Sequence, residues 1–211
     1  EQFDRFALES HRKAARATEE GAFADEIVRV GGHEVDEGIR FDASLDGIAS
    51  VKLLQEGGRI SAANASQICD GAAGVLVASE AALKAHGLTP LARIRNLTVT
   101  AGHPVIMQEE PTPATRRALE RAGLGIEDID LFEVNEAFAP VPLSWLRETG
   151  ADPSRLNVNG GAIALGHPLG ASGAKLRATL VPALRTRRLR YGLQTMCEGG
   201  GIANVTIVEA L

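Results

Sequence analysis

Three short stretches of this chain place reactive side chains where a ligand could reach them. The longest is Val158-Asn159-Gly160-Gly161-Ala162-Ile163-Ala164-Leu165-Gly166-His167-Pro168-Leu169-Gly170-Ala171-Ser172-Gly173-Ala174, which sets one histidine among glycines and alanines. Glycine lets a ligand come close to the main chain. A histidine in such a cradle, just ahead of a helix start, is suited to act as a base. The other reading of His167 is a histidine that caps the helix or is satisfied in the core. Cys197 precedes Glu198-Gly199-Gly200-Gly201. A thiol beside backbone N–H groups freed by glycines can be a nucleophile or an acid/base group, because such donors favour the thiolate. The alternative is a small buried hydrophobe at a strand end. Asn135 and Glu136 follow an expected strand ending at Val134, where asparagine serves equally as a helix N-cap.

The elements that must position these residues follow from apolar spacing and breakers. Residues 1–21 place Phe3, Phe6, Ala7, Ala14 and Ala15 near helical spacing, with Gly21 as a stop. A short strand is expected over 26–30 and a helix over 45–54. Without regular alternation, residues 1 to about 60 read as an excursion from the core. Gly74 to Ala78 is a compact apolar run, as in a buried strand. A helix is expected over 80–86, a strand over 91–100, a helix from Pro113 to Gly123, a strand over 129–134 and a helix over 136–147. After the glycine-rich stretch come a helix to Arg185 and strands over 192–196 and 202–208, joined by Gly199-Gly200-Gly201 as a hairpin. The succession β-α-β-α-β-α-α-β-β implies a layered α/β fold with a mixed, mostly parallel sheet. Ligand sites in such folds gather beyond the carboxyl ends of parallel strands. Asn135, His167 and Cys197 all fall at strand ends or in the equivalent loop.

Composition narrows the function classes. At 211 residues, 45% hydrophobic and 23% charged, the chain has the make-up of a globular protein with a sizeable core. A net charge of −5 offers no broad basic surface for nucleic acid. No apolar run approaches the roughly 20 residues of a membrane helix, so no membrane partner is expected. Two cysteines, Cys69 and Cys197, are too few for a disulfide framework and favour a reducing, cytoplasmic setting. Cys69 reads as structural. His11, His33, His86 and His103 read as solvent-facing, and no histidine or cysteine pair has metal-ligand spacing, so no metal is expected. The glycine loop is neither a phosphate-binding loop nor a dinucleotide fingerprint. Glu1 enters directly into a helical pattern without an initiator methionine, which suggests a fragment or processed product.

Together, Asn135-Glu136-Ala137-Phe138, Gly166-His167-Pro168 with its glycine flanks, and Cys197-Glu198-Gly199-Gly200-Gly201 resemble, in order and separation, the C-terminal signature set of the thiolases. These are acetyl-CoA C-acyltransferases or acetyltransferases. The Cys197-Glu198 form and the Ala203-Asn204-Val205-Thr206 ending are similar to actinobacterial thiolases of lipid or steroid side-chain breakdown. Residues 1–60 resemble the later part of the thiolase loop domain and residues 61–211 the C-terminal domain.

The resemblance implies that His167 activates a separate nucleophilic cysteine and that Cys197 moves a proton at the α-carbon of the second acyl-CoA. It further implies that His167 and a water held by Asn135 receive the enolate oxygen, and that the backbone N–H of Gly199 helps hold the acyl-enzyme oxygen. For CoA it implies contacts from Ser66, Ala137 and Phe138, with Arg40 near the nucleotide phosphates. CoA and acyl-CoA are then substrates, no resident cofactor is needed, and a homodimer or tetramer is expected. The chain departs from the family in one large respect: neither Cys69 nor Cys197 stands in the context of the nucleophilic cysteine, which lies in the N-terminal half of thiolases. Catalysis would therefore need a partner portion, in the same or a separate chain. The competing reading is a non-catalytic thiolase-like subunit that binds CoA or an acyl chain.

Overall fold

The computed structural model describes residues 1–211. Helix α1 (Gln2–Glu19) turns Ala7, Leu8, His11, Ala14 and Ala17 inward, a three- and four-residue spacing that makes one apolar face. That face packs on Ile163, Ala164 and Leu165 of the short helix α6 (Ala162–Leu165). The first sixty residues therefore contribute a wall of the core, which corrects their reading as an excursion. His11 is buried with that face, so it does not point to solvent.

Four strands form one mixed sheet in the order β1-β4-β3-β2: β1 (Ala92–Ala101), β2 (Leu131–Val134), β3 (Tyr191–Glu198) and β4 (Ile202–Ala210). The layered α/β fold is as expected, but parallel pairing is confined to β2 with β3. The reason is local: β3 and β4 are joined by the Gly199–Gly201 hairpin and β1 adds antiparallel to the far side of β4. Gly200 and Gly201 have φ of +82° and +84°, and a Cβ on Gly201 would lie 2.9 Å from the His103 backbone.

Helices α4 (Pro111–Ala122) and α5 (Pro140–Thr149) cover one face of the sheet, where Phe132, Val134, Leu193, Val205 and Ile207 meet Ala118 and Trp145. The Trp145 ring stands edge-on to Phe132 at 5.1 Å, and its Nε1–H donates to Thr115 Oγ1 at 2.9 Å. Helix α7 (Ser172–Thr186) covers the other face, with Leu180, Ala183 and Leu184 on Leu131 and Val208. Strand alternation thus assigns Phe132 and Val134 to one layer and Leu131, Glu133 and Asn135 to the other.

Several local expectations change. Helix α2 is only Leu45–Ala49, whereas α3 (Glu80–His86) has the expected bounds between Ser79 as N-cap and a left-handed Gly87. Residues 26–30 form no strand; only Val30 bridges to His33 across a turn. Gly74–Ala78 is not a buried strand either. Residues 68–78 make no backbone–backbone hydrogen bond, and Leu76 is 81% exposed. An apolar run becomes a strand only where another strand lies beside it, and none does here. The helix expected from Glu136 begins at Pro140, because Phe138 is held in an antiparallel bridge to Ala65 and the backbone turns helical only at Ala139.

Candidate active site

Asn135 stands one residue beyond β2, and its N–H continues the parallel ladder by donating to Thr195 O at 3.0 Å. Its side-chain nitrogen lies 3.3 Å from His167 Nε2. His167 sits in the loop between α6 and α7, anchored by its N–H donating to Gln67 O at 2.9 Å. Gly166 before it has φ +81°, and a Cβ there would fall 2.5 Å from Cys69 Sγ. The imidazole Nδ1 is 2.5 Å from Ser172 Oγ, and that hydroxyl is also 3.0 Å from Pro168 O. A hydroxyl has one proton to give. Donated to Pro168 O, it leaves Ser172 Oγ to accept Nδ1–H from His167. Nε2 is then bare and accepts from the Asn135 amide. Partial burial, and secondarily the charge of Lys175, holds His167 below the usual imidazole range. The arrangement is that of a neutral base whose free nitrogen is aimed by neighbours.

Cys197 lies within β3, not beyond it, and is half-buried. It stands two residues past Thr195, which bonds to Asn135, so about 7 Å further along the strand. Burial, with a smaller contribution from Glu198, pushes the thiol above its ordinary range. The glycines expected to favour the thiolate lie beyond the strand end, and burial of the sulfur outweighs the one backbone hydrogen bond that lowers the thiol. Cys197 is thus a thiol able to donate a proton. It makes no hydrogen bond to His167 or Asn135. Gly199 is exposed in the hairpin.

A short antiparallel ladder brings three further predicted residues together. Ser66 N–H donates to Ala137 O at 3.0 Å and Ala139 N–H to Asn64 O at 2.9 Å, so Ser66, Ala137 and Phe138 are adjacent and partly exposed. Arg40 stands apart with an exposed side chain, and its main-chain N–H donates to His11 Nδ1 at 3.1 Å. Burial, then the Arg40 charge, holds His11 below the imidazole range, so it serves as a neutral acceptor.

The residues that hold this site in place were missed in the sequence. Gln67 Nε2 donates to Gly38 O and Ile163 O, both at 2.8 Å, tying the ladder to α6. Glu136 is wholly buried and accepts from Ser10 Oγ at 2.6 Å, Asn157 Nδ2 at 2.8 Å and Ile163 N–H at 3.1 Å. Burial pushes its carboxyl up, while these donors and Lys13 pull it back. Asn157, at φ +43°, accepts from Val134 N–H and donates to Val134 O, both at 2.9 Å, and so fastens the end of β2. A Cβ on Gly161 would lie 2.2 Å from the Glu136 carboxyl carbon. Two asparagines, Asn157 and Asn159, just ahead of a glycine pair were the signal that could have found Asn157. No group of three or more His, Cys, Asp or Glu side chains is placed to hold a metal, and no helix is long and apolar enough to cross a membrane.

The fold and these motifs define a layered α/β class with a histidine site at a strand end, and comparison with known proteins gives the family. The models described as "Thiolase, N-terminal domain" and "Thiolase, C-terminal domain" match residues 1–81 and 88–210. The chain belongs to the thiolase family. It is 55% identical over 215 residues to the steroid 3-ketoacyl-CoA thiolase FadA6 of Mycobacterium tuberculosis, covering 100% of this chain and 53% of that protein. Among solved structures it resembles the Bacillus anthracis acetyl-CoA acetyltransferase (TM-score 0.94, 39% identity, 100% of this chain, 56% of that one). It also resembles human mitochondrial 3-ketoacyl-CoA thiolase in complex with CoA (TM-score 0.92, 39% identity, 99% of this chain, 54% of that one). The chain spans about half the length of the curated relatives it matches.

Proposed function

We propose that this chain carries the His167, Asn135 and Cys197 portion of a thiolase active site. The reaction is cleavage of a 3-ketoacyl-CoA by CoA, or the reverse Claisen condensation. The observation that carries this reading is the Asn135–His167–Ser172 chain of hydrogen bonds, which presents a bare imidazole nitrogen at the end of β2.

In the cleavage direction, His167 Nε2 takes the proton of a cysteine thiol supplied from outside these residues. The thiolate attacks the 3-carbonyl, and the bond between the α-carbon and the 3-carbon breaks. Its electron pair goes to the acetyl-CoA enolate, whose oxygen is met by His167 and a water on Asn135. The Cys197 thiol delivers its proton to the α-carbon, a task for which a raised pKa suits it. CoA, deprotonated in turn, takes the acyl group from the enzyme. The Gly199 N–H serves the acyl oxygen. Ser66, Ala137 and Phe138 line the pantetheine and Arg40 meets the nucleotide phosphates. The 55% relationship to a steroid 3-ketoacyl-CoA thiolase supports a steroid side-chain thioester as the substrate class. A cytoplasmic dimer or tetramer is the assembly this reading implies.

Thiolysis of acetoacetyl-CoA by the native assembly, against a Cys197→Ala variant, tests the assignment. Loss of turnover with CoA binding retained supports it. Unchanged activity removes Cys197 from the mechanism, and no turnover by the native assembly leaves the chain as a CoA-binding subunit.

A further inference from the structure

The face of β2 that ends in Asn135 also carries Glu133, since side chains two apart in a strand share a face. Glu133 is 2% exposed, and none of the chain's side-chain hydrogen bonds includes its carboxyl. It lines a small cavity behind the His167 loop together with Asn135, Gly160, Gly161, Ser172 and Lys175. The space open to the centre of a water-sized body there is about 10 Å³, close to the least that holds one water. The cation on the wall is already engaged: Lys175 Nζ bonds to Asp36 Oδ1 at 3.0 Å and to Leu165 O. Asn135 has one side-chain hydrogen bond, from its nitrogen to His167 Nε2, and no protein donor reaches its carbonyl oxygen.

We propose that Glu133 is a positioning residue for the chemistry at His167, its carboxyl and one enclosed water bracing the Asn135 amide from behind. This rests on the roles given above to Asn135 and His167. An asparagine amide turns easily about its last torsion, and a flipped amide would set its oxygen against the bare Nε2. A donor behind Asn135 removes that alternative. Glu133 can be that donor because burial, then the nearby Glu136 and Glu26 carboxylates, holds it protonated well above the usual range against the pull of Lys13. Glu136 takes all its donors from Ser10, Asn157 and Ile163 and leaves Glu133 none.

The test uses Glu133→Gln, Glu133→Leu and Asn135→Ala in the native enzyme. At neutral pH the parent shows a deuterium-sensitive protonated-carboxyl band in the infrared, beside that of Glu26, whose carboxyl burial pushes up to about 7, and Glu133→Gln lacks it. Glu133→Gln keeps kcat within about twofold, since an amide also donates. Glu133→Leu lowers kcat about tenfold, the worth of one hydrogen bond, with KM for CoA unchanged. The His167 ¹⁵N signals in that variant show mixed tautomers or a lost Nε2 hydrogen bond. Absence of the band, its persistence in Glu133→Gln, or a Glu133→Gln kcat down more than tenfold overturns the proposal without need of the leucine variant. A parental kcat in Glu133→Leu beside an impaired Asn135→Ala overturns this proposal alone. A parental kcat in Asn135→Ala overturns the functional reading and this proposal with it.

Discussion

Removing the Ser172 hydroxyl isolates what aims His167. The neutral imidazole has two tautomers, and only the one with its proton on Nδ1 leaves Nε2 bare. Ser172 Oγ selects that tautomer by accepting from Nδ1 while giving its own proton to Pro168 O. The start of α7 does not depend on this hydroxyl, because Ser172 N–H separately donates to Pro168 O at 2.9 Å. Ser172→Ala therefore removes a tautomer preference and little else. A hydrogen bond of this kind is worth about 1 kcal/mol net, and about 1.4 kcal/mol is a factor of ten. The tautomer ratio shifts about fivefold, and the population of the competent tautomer, with kcat for the proposed thiolysis, falls by up to that factor. KM for CoA stays unchanged, and the melting temperature falls by roughly 2–4 °C. Steady-state thiolysis gives the rates, and ¹⁵N spectra of labelled imidazoles give the tautomer directly. A parental kcat in Ser172→Ala, or a parent enzyme whose free His167 carries its proton on Nε2, would refute the reasoning.

Three further outcomes are expected. His11 is held below 6.5 in the fold, so the unfolded chain binds more protons on acidification. The His11 contribution to stability is whole above about pH 6.5 and is lost as pH falls below it, while the buried carboxyls of Glu26, Glu133 and Glu136, all pushed up, act with the opposite sign. His11→Gln, which can still accept from Arg40 N–H, removes the His11 contribution, read as the parent-minus-variant difference in urea titrations at several pH values; His167 contributes with the same sign as His11 in both proteins. Gly161→Ala drives a methyl group into the Glu136 carboxyl and costs about 2–4 kcal/mol, read as a lower denaturant midpoint. Asn157→Ala frees both Val134 main-chain groups and removes one donor from Glu136. It costs about 3 kcal/mol, and the Val134 amide loses protection in hydrogen exchange.

How much of this was legible in the sequence depended on whether the cause was local. Helix α3 could be bounded because Ser79 and Gly87 are the cap residues themselves. The β3–β4 hairpin could be read because its glycines make the turn. Asn135 and His167 could be found because a strand end and a glycine cradle announce themselves within a few residues. Ser172 and Gln67 could not: each is an ordinary polar residue until the fold sets it against His167 or α6. Glu136 looked like the first residue of a helix, and only the bridge between Phe138 and Ala65 keeps the chain from turning helical before Ala139. The burial of His11 is legible in the sequence, since it continues the same face as Ala7, Leu8 and Ala14. Gly74–Ala78 failed for a deeper reason: five apolar residues read identically whether or not a partner strand exists.

That segment has a consequence for handling the protein. Residues 68–78 present main-chain donors and acceptors without backbone partners, alongside outward Ile68, Leu76 and Val77. Such an edge is a template for further strand addition, and its β-branched run lacks proline and internal charge. A strand laid there from outside these residues closes the edge, whereas one laid by a second copy begins an aggregate, so solubility is sensitive to a segment some distance from His167.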